Sequence, residues 1–200
     1  HVRFVHDGSV SAPTFSIQAN DGAGLNNLSN VFVGSVTFVP VVGAILGDAG
    51  NNTLAGTGGN DVFQGFGGND TIDGQSGFDR AIYLDATGSI TVDMTAGTVS
   101  GPGVGNDTLV RIEAIQGSNF ADHYSASGFA GNSGVPGTPI GFNSFEGMGG
   151  DDVIVGTVNS SGQISTRISY LSATAAVVVD IAAGTASGDA SVGHDSFTNV

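Results

Sequence analysis

The sequence contains no cysteine, tryptophan or lysine, and only two of its 200 residues are glutamate. Without cysteine, the chain forms neither disulfides nor thiolate metal sites. Without lysine, and with so little glutamate, it lacks the residues that favour helices, so a mainly helical fold, a coiled coil or a bundle is excluded. The four basic residues are all arginine, too few for a basic surface that could bind phosphates. No nucleic-acid partner is therefore expected.

Long apolar runs of membrane-spanning length are also missing. The uncharged stretch 31–46 is interrupted by Gly34, Pro40 and Gly43. It is too short to cross a bilayer as a helix. Its partial alternation of apolar and polar residues indicates a strand, and no membrane span is predicted.

Glycine and aspartate are abundant instead. The chain has 34 glycines and 16 aspartates, and its formal net charge is −14. It is 40% hydrophobic and only 11% charged, which is not the composition of a disordered chain. Glycine and aspartate favour turns, and aspartate supplies the hard oxygen ligands that calcium prefers. The composition therefore predicts short strands, tight turns and a bound cation.

Four consecutive nonapeptides begin at residue 47 and read GDAGNNTLA, GTGGNDVFQ, GFGGNDTID and GQSGFDRAI. Positions 1 and 4 are always glycine, and position 6 is Asn52, Asp61, Asp70 and Asp79 in turn. Six residues turn the chain, and the next three form a short strand whose central apolar side chain points inward. Two nonapeptides make one coil of about 18 residues, and stacked coils form two parallel sheets around an apolar core.

The coil length predicts which polar side chains meet. Turns on one side of the coil recur every two nonapeptides, which places Asp61 over Asp79 and Asn52 over Asp70. Carboxylates about 4.8 Å apart, the spacing of neighbouring strands, repel each other unless they are protonated or bridged. Glycine turns also leave carbonyl oxygens exposed beside them. A set of ligands made only of oxygen is typical of calcium.

The nonapeptide resembles the RTX, or hemolysin-type calcium-binding, repeat G-G-x-G-x-D-x-U-x, from which it departs mainly at position 2. The resemblance implies a parallel β-roll that holds Ca²⁺ between successive turns. Besides Asn52, Asp61, Asp70 and Asp79, the ligands it implies are carbonyls around Gly56, Gly58, Gly59, Gly65, Gly67, Gly68, Gly74 and Gly77. Asn52 stands where the repeat has Asp, which weakens the Asn52/Asp70 site. The small Ala81 at a core position predicts that the roll ends there.

A longer repeat of about 87 residues includes the nonapeptides. The segment RAIYLDATGSITVDMTAGTVSG (80–101) recurs as RISYLSATAAVVVDIAAGTASG (167–188), and VGNDTLVRI (104–112) recurs as VGHDSFTNV (192–200). Within each copy, apolar residues recur at every second position, at 90, 92 and 94 and at 177, 179 and 181, and an Ala-Gly-Thr turn follows. This pattern predicts β-hairpins near 89–100 and 176–187 that interrupt the roll.

Two more segments resemble the degenerate coils of long RTX proteins. GSNFADHYS (117–125) and EGMGGDDVIVG (146–156) place Asp122 and Asp152 at position 6. The two aspartates are 30 residues apart, which corresponds to one coil plus an excursion around 131–141. The hypothesis is a calcium site that joins Asp122 and Asp152, with turn carbonyls at Gly149 and Gly150.

The first forty residues follow another pattern. HVRFVHDGSVSAPTFSIQANDG (1–22) contains no nonapeptide, and its alternation predicts two strands across a loop. It resembles the C-terminal end of a cadherin-like repeat of the chondroitin-sulfate-proteoglycan type, which implies a β-sandwich. The expected domains are thus the sandwich remnant (1–40), the first long repeat (41–125) and a second long repeat truncated at its C-terminus (126–200).

The sequence therefore predicts an all-β chain, a parallel β-roll of Gly/Asp-rich nonapeptides interrupted by β-hairpin insertions and preceded by a β-sandwich remnant. Its histidines are scattered and no acid–base pair stands apart from the repeats, so no catalytic residues are expected. The resemblance implies an internal fragment of a large secreted bacterial RTX adhesin-like protein that folds on extracellular Ca²⁺ and is exported by type I secretion. Calcium ions are the expected partners, and cell-surface or matrix ligands would bind through the parent protein. The alternative is the secretion or chaperone-like RTX domain of an exported protease or lipase whose catalytic domain lies elsewhere.

Overall fold

The computed structural model describes residues 14–17, 32–35, 43–131 and 141–200. Within these ranges the chain forms strands and turns, and no helix is long and apolar enough to cross a membrane.

The chain divides into two compact units, His1–Val42 and Gly43–Val200. In the first unit, β1 (Thr14–Ile17) and β2 (Phe32–Ser35) pair as antiparallel strands. β1 coincides with the second strand that the alternation in 1–22 predicts. The first of those predicted strands lies outside the described residues, and the cadherin-like resemblance of this segment stays a prediction.

The second unit contains a narrow sheet and a wide sheet. The narrow sheet has six parallel strands: β3 (Ala44–Leu46), β5 (Val62–Gln64), β7 (Arg80–Ile82), β11 (Ala114–Gln116), β13 (Asn143–Glu146) and β15 (Thr166–Ile168). The wide sheet has ten strands: β4 (Thr53–Ala55), β6 (Thr71–Asp73), β8 (Thr91–Asp93), β9 (Thr98–Gly101), β10 (Gly105–Val110), β12 (His123–Ser125), β14 (Val153–Val155), β16 (Val178–Asp180), β17 (Thr185–Ser187) and β18 (His194–Thr198).

The register of the strands confirms the coil of two nonapeptides. Thr53 of β4 lies opposite Thr71 of β6, and Val62 of β5 lies opposite Arg80 of β7, with both pairs parallel. Because β4 and β5 belong to different sheets, the chain changes sheet at every nonapeptide. The all-β parallel roll predicted from the sequence is therefore the fold of this unit.

The core lies between the two sheets and is built from position 8 of each nonapeptide. Phe63, Ile72 and Ala81 are buried there, while their strand neighbours at positions 7 and 9 are more exposed. Burial of one large apolar side chain contributes about 1.5–3 kcal/mol. A three-residue strand offers only one such side chain, so the coils are stable only when stacked.

The roll does not end at Ala81, contrary to the expectation from its small side chain. Ala81 lies between Phe63 of β5 and Ile115 of β11, and it is buried. A small residue fits this position because larger core residues lie on both sides of it. The parallel stack then continues through β13 and β15.

The predicted hairpins are present and extend the wide sheet. β8, β9 and β10 form an antiparallel meander, and β16, β17 and β18 form a second one. In each meander, the last strand rejoins the parallel stack, β10 beside β6 and β18 beside β14. The insertions thus add two strands each to the wide sheet while the narrow sheet continues without interruption.

Candidate calcium sites in the turns

The position-6 side chains form ladders between stacked turns. The amide of Asp61 donates to Oδ1 of Asp79 at 2.7 Å, and the amide of Asn52 donates to Oδ1 of Asp70 at 2.8 Å. The amide of Asp122 donates in the same way to Oδ1 of Asp152, also at 2.8 Å. The structure therefore brings together each of the three pairs that the sequence places in contact.

The lower turn of each pair is closed by its own position-6 side chain. In the turn 56–61, the amide of Thr57 donates to Oδ2 of Asp61 at 2.6 Å. The amide of Ser118 donates to Oδ2 of Asp122 at 2.7 Å in the turn 117–122. In the turn 47–52, the acceptor is Oδ1 of Asn52. We call these three the closed turns, and in each of them one position-6 oxygen accepts the amide of position 2.

The upper turn of each pair has a different backbone. Position 2 adopts a left-handed conformation in the turns 65–70, 74–79 and 147–152, with φ of 64° at Phe66, 68° at Gln75 and 70° at Met148. Position 4 is glycine with φ of 115° to 137° in the same three turns, a region that residues with a Cβ rarely enter. We call these the open turns.

The open turns leave one carboxylate oxygen free. Oδ2 of Asp70, Asp79 and Asp152 is buried and has no hydrogen-bond partner among the described residues. A buried acceptor without a partner costs about 1–3 kcal/mol, and more when it is charged. These three oxygens therefore require a proton or a cation.

The position-1 glycines provide room beside these oxygens. A Cβ on Gly65 would collide with Oδ2 of Asp70, and one on Gly74 would collide with Oδ2 of Asp79. At Gly56, a Cβ would lie 2.7 Å from Oδ2 of Asp61 and 2.6 Å from the carbonyl oxygen of Gly74. Carboxylate and carbonyl oxygens thus converge on a space that only glycine leaves open.

The remaining predicted glycines occupy two other environments. Gly68, Gly77 and Gly150 are the position-4 glycines of the open turns, and each lies over the backbone of the closed turn beneath it. Gly67 and Gly149 each face a backbone carbonyl oxygen from a neighbouring loop. A Cβ on Gly58 would meet nothing within 4 Å, and one on Gly59 would make only an ordinary contact, 3.7 Å from Oγ1 of Thr57.

Burial raises the pKa of the open-turn aspartates. The pKa of Asp79 rises to about 6 and that of Asp152 to about 8, chiefly through desolvation and further through nearby carboxylates. The pKa of Asp70 is also raised by desolvation. Each group is held where its charge is disfavoured, so a cation beside it would restore the ionised form.

A third acid lies above each open turn, and the sequence did not predict these three as site residues. The amide of Asp70 donates to Asp107 at 2.9 Å, that of Asp79 to Glu113 at 2.9 Å, and that of Asp152 to Asp195 at 3.0 Å. The recurring motifs VGND and VGHD, residues 104–107 and 192–195, retain the position-4 glycine and the position-6 aspartate of a nonapeptide. That similarity was the available signal for Asp107 and Asp195, and Glu113 lies outside it.

The chemistry of the donors fits calcium. Among the described residues, no group of three or more His, Cys, Asp or Glu side chains is arranged to hold a metal alone. Two carboxylates and the surrounding turn carbonyls would therefore share the coordination. Such an all-oxygen set, with flexible geometry and no nitrogen or sulfur, is suited to Ca²⁺.

The fold and the turns define a glycine- and aspartate-rich parallel β-roll of the calcium-binding type. The family model of the RTX calcium-binding nonapeptide repeat matches the chain in four copies, within residues 46–81 and 140–158. No curated protein matches the chain. These matches support an RTX-type repeat protein, in which such repeats are structural, calcium-binding units.

Proposed function

We propose that this chain is a calcium-binding structural region that folds when Ca²⁺ enters its stacked turns. The observation that supports this proposal best is the buried, unpartnered oxygen on Asp70, Asp79 and Asp152. Each of these oxygens lies beside a position-1 glycine that has no room for a side chain. The ligands in the proposal are Asp70 with Asn52, Asp79 with Asp61, and Asp152 with Asp122, together with carbonyls of the glycine turns.

Metal binding and folding are coupled in this proposal. The ligands of each pair are 18 or 30 residues apart and meet only when the coils stack. The free energy of binding therefore contributes directly to folding. Extracellular calcium-binding modules typically have dissociation constants of about 10⁻⁴–10⁻³ M, so the chain would fold outside the cell and remain unfolded in the cytosol.

We further propose that the parent protein is a secreted adhesin-like protein, exported by type I secretion. The long repeat of about 87 residues and the cadherin-like segment at 1–22 support an extended extracellular array. Its ligands would be cell-surface or matrix molecules. Detection of the parent protein at the surface or in the medium of cells that carry the export system tests this proposal, and retention in the cytosol contradicts it.

Circular dichroism with added calcium or chelator tests the calcium function. The β signal should grow as calcium is raised to millimolar concentration and disappear with chelator. The variant Asp79→Asn keeps an oxygen for the Asp61 amide but loses a charged ligand, so its calcium midpoint should rise severalfold. Asp180→Asn is the matched control, because Asp180 is exposed and, among the described residues, its Oδ1 accepts the amide of Ala183. A β signal of the wild-type chain that does not change with calcium concentration would contradict the proposal.

A further inference from the structure

A buried tyrosine hydroxyl lies beside one of the third acids. Tyr83 directly follows β7 and is 2% exposed, and its hydroxyl has no hydrogen-bond partner among the described residues. Desolvation and then the Asp107 carboxylate raise the pKa of Tyr83 well above its usual value, so the two groups face each other. Oδ2 of Asp107 is also buried and without a partner. The two oxygens are thus close together and yet do not form a hydrogen bond of normal geometry.

A second carboxylate completes this group. The amide of Asp70 donates to Asp107 at 2.9 Å, which holds one carboxylate above the other. Oδ2 of Asp70 is buried and unpartnered as well. We call Asp70, Asp107 and Tyr83 the first triad. Each of its members thus contributes one buried side-chain oxygen for which the described residues provide no partner.

The second long repeat forms the same arrangement. The amide of Asp152 donates to Asp195 at 3.0 Å, and Tyr170 faces Asp195, which contributes after desolvation to the raised pKa of its hydroxyl. Oδ2 of both aspartates and the hydroxyl of Tyr170 are buried, again without a partner in the described part of the chain. We call these three residues the second triad. Six of the eight buried, unpartnered side-chain atoms of the described residues belong to the two triads.

Backbone carbonyls approach both triads closely. A Cβ on Gly105, two residues before Asp107, would collide with the carbonyl oxygen of the open-turn residue Gly68. A Cβ on Gly193, two residues before Asp195, would collide in the same way with that of Gly150. Each open turn therefore places a carbonyl oxygen against the segment that carries the third acid. No basic side chain among the described residues forms an ion pair with either triad.

The remaining column provides an internal contrast. Glu113 is its third acid, and none of its oxygens is among the buried, unpartnered atoms of the described residues. The triads differ because a tyrosine hydroxyl and two carboxylates meet there. A tyrosine hydroxyl has one proton to donate, so it cannot satisfy both carboxylates. Buried carboxylates without a basic partner require a metal ion or protons, and an all-oxygen set favours a hard cation.

We infer that each triad binds a Ca²⁺ ion of its own, in addition to the three pairs of the proposed function. Two carboxylates and the oxygen of the protonated tyrosine hydroxyl are the side-chain ligands of this ion. Asp70 and Asp152 each serve a pair and a triad, because one carboxylate offers about four lone-pair sites and can bridge two cations. The choice of Ca²⁺ rests on the proposed function, whereas the sites themselves rest on the triads.

Equilibrium dialysis of the whole chain against calcium counts the ions. The wild type should bind one ion for each pair and one for each triad. Asp107→Asn keeps an acceptor for the amide of Asp70 but removes a charged ligand. Calcium affinity of the first triad should therefore fall by about tenfold or more, since affinity depends strongly on ligand charge. The double variant Asp107→Asn/Asp195→Asn should bind two ions fewer than the wild type at a calcium concentration that still fills the pairs. An unchanged ion count in that folded variant would overturn the inference.

Terbium luminescence tests the tyrosine hydroxyls. Tb³⁺ resembles Ca²⁺ in size and in its preference for oxygen, and a tyrosine in contact with the ion sensitises its emission. The chain has three tyrosines and no tryptophan. Tyr83→Phe and Asp107→Asn should each lower the emission by about half, and their combination should lower it no further, because both remove the same site. Tyr124→Phe is the matched control, because the Tyr124 hydroxyl donates to Oδ1 of Asn143 at 2.8 Å, and the emission should persist. Emission that depends on Tyr124 alone would overturn the inference.

Calcium affinity separates a bound ion from a simple hydrogen bond between Tyr83 and Asp107. With a hydrogen bond alone, Tyr83→Phe would lower the urea midpoint but leave the ion count and the calcium affinity unchanged, which would overturn the inference. Circular dichroism of the same samples reports the calcium response of the fold. A β signal that grows with calcium while the ion counts of all variants agree would contradict the triad sites alone. A wild-type β signal that does not respond to calcium would contradict the proposed function, and terbium emission from the folded chain would still test the triads.

Discussion

The variant Gly56→Ala tests the packing of oxygens around position 1. The added Cβ would lie 2.6 Å from the Gly74 carbonyl oxygen, about 0.8 Å short of the 3.4 Å at which ordinary contact begins. The amide of Gly56 donates to the carbonyl of Asp73 at 2.8 Å and holds the two coils at a fixed spacing. A displacement of this size would lengthen that bond beyond a useful distance.

The expected loss in the free energy of unfolding is about 3 kcal/mol. Overpacking of a well-packed site costs about 1–3 kcal/mol, and a weakened buried hydrogen bond adds about 1 kcal/mol. Gly58→Ala is the matched control in the same nonapeptide, because a Cβ there meets nothing within 4 Å and φ is not positive. It should be neutral or stabilising by about 0.4–1 kcal/mol, since alanine restricts the unfolded chain.

Urea unfolding in saturating calcium, followed by circular dichroism, measures both variants. With a slope of about 1–3 kcal/mol per molar urea, Gly56→Ala should lower the midpoint by roughly 1 M or more, and Gly58→Ala should leave it nearly unchanged. Gly56→Ala should also raise the calcium concentration needed for folding, because the new methyl group faces Oδ2 of Asp61. Equal midpoints for the two variants would refute the oxygen-lined space at position 1.

Three further predictions concern protonation, the core and the open turns. Burial raises the pKa of Asp79 from 3.8 to about 6 and that of Asp152 from 3.8 to about 8. In the absence of calcium, both groups therefore stabilise the folded chain fully below about pH 4, and this contribution is lost as the pH rises through 6 to 8. Calcium needs the ionised forms, so the calcium midpoint should fall over that range, and a midpoint independent of pH would contradict this. Phe63→Ala should cost about 3–5 kcal/mol in urea unfolding, and the partly exposed Phe120→Ala less than about 1 kcal/mol; similar losses would count against the core assignment. Gln75→Gly should raise the thermal unfolding midpoint in calcium, because glycine adopts a φ of 68° without strain. A lower midpoint would contradict this, because the contacts of the Gln75 side chain would then stabilise the fold more than its backbone strain destabilises it.

The sequence was sufficient to predict the 18-residue coil and the pairing of its turns, because both follow from the strict nine-residue period. An 18-residue offset is enough to place Asp61 over Asp79, and the structure shows the same contact. The role of Ala81 was misjudged because its larger neighbours, Phe63 and Ile115, come from coils above and below. One side chain alone does not reveal how well a stack fills its core.

The distinction between open and closed turns could not be predicted with the same means. It depends on backbone φ at positions 2 and 4, and the glycine at position 4 occurs in turns of both kinds. The third acids were missed for a different reason. Asp107, Glu113 and Asp195 follow their partners by 37, 34 and 43 residues, offsets set by the lengths of the meanders and not by the nonapeptide.

With the third acids Asp107, Glu113 and Asp195 included, much of the negative charge of the chain, −14 in total, lies in the stacked turns. Three columns run through the stacked turns: Asn52–Asp70–Asp107, Asp61–Asp79–Glu113 and Asp122–Asp152–Asp195. Eight acids thus lie in three narrow stacks, and the only ion pair among the described residues joins Arg111 to Asp73, outside all three. None of the described basic side chains forms an ion pair with these stacks, so protons and metal ions compete for them. Two columns contain three acids and the Asn52 column contains two. The proposed ligand pair of the Asn52 column, Asn52 and Asp70, has one carboxylate, whereas the other two pairs have two. Because calcium affinity increases with the number of charged ligands, this pair should release its ion first as calcium falls. The first nonapeptides would then be the first part of the roll to lose calcium.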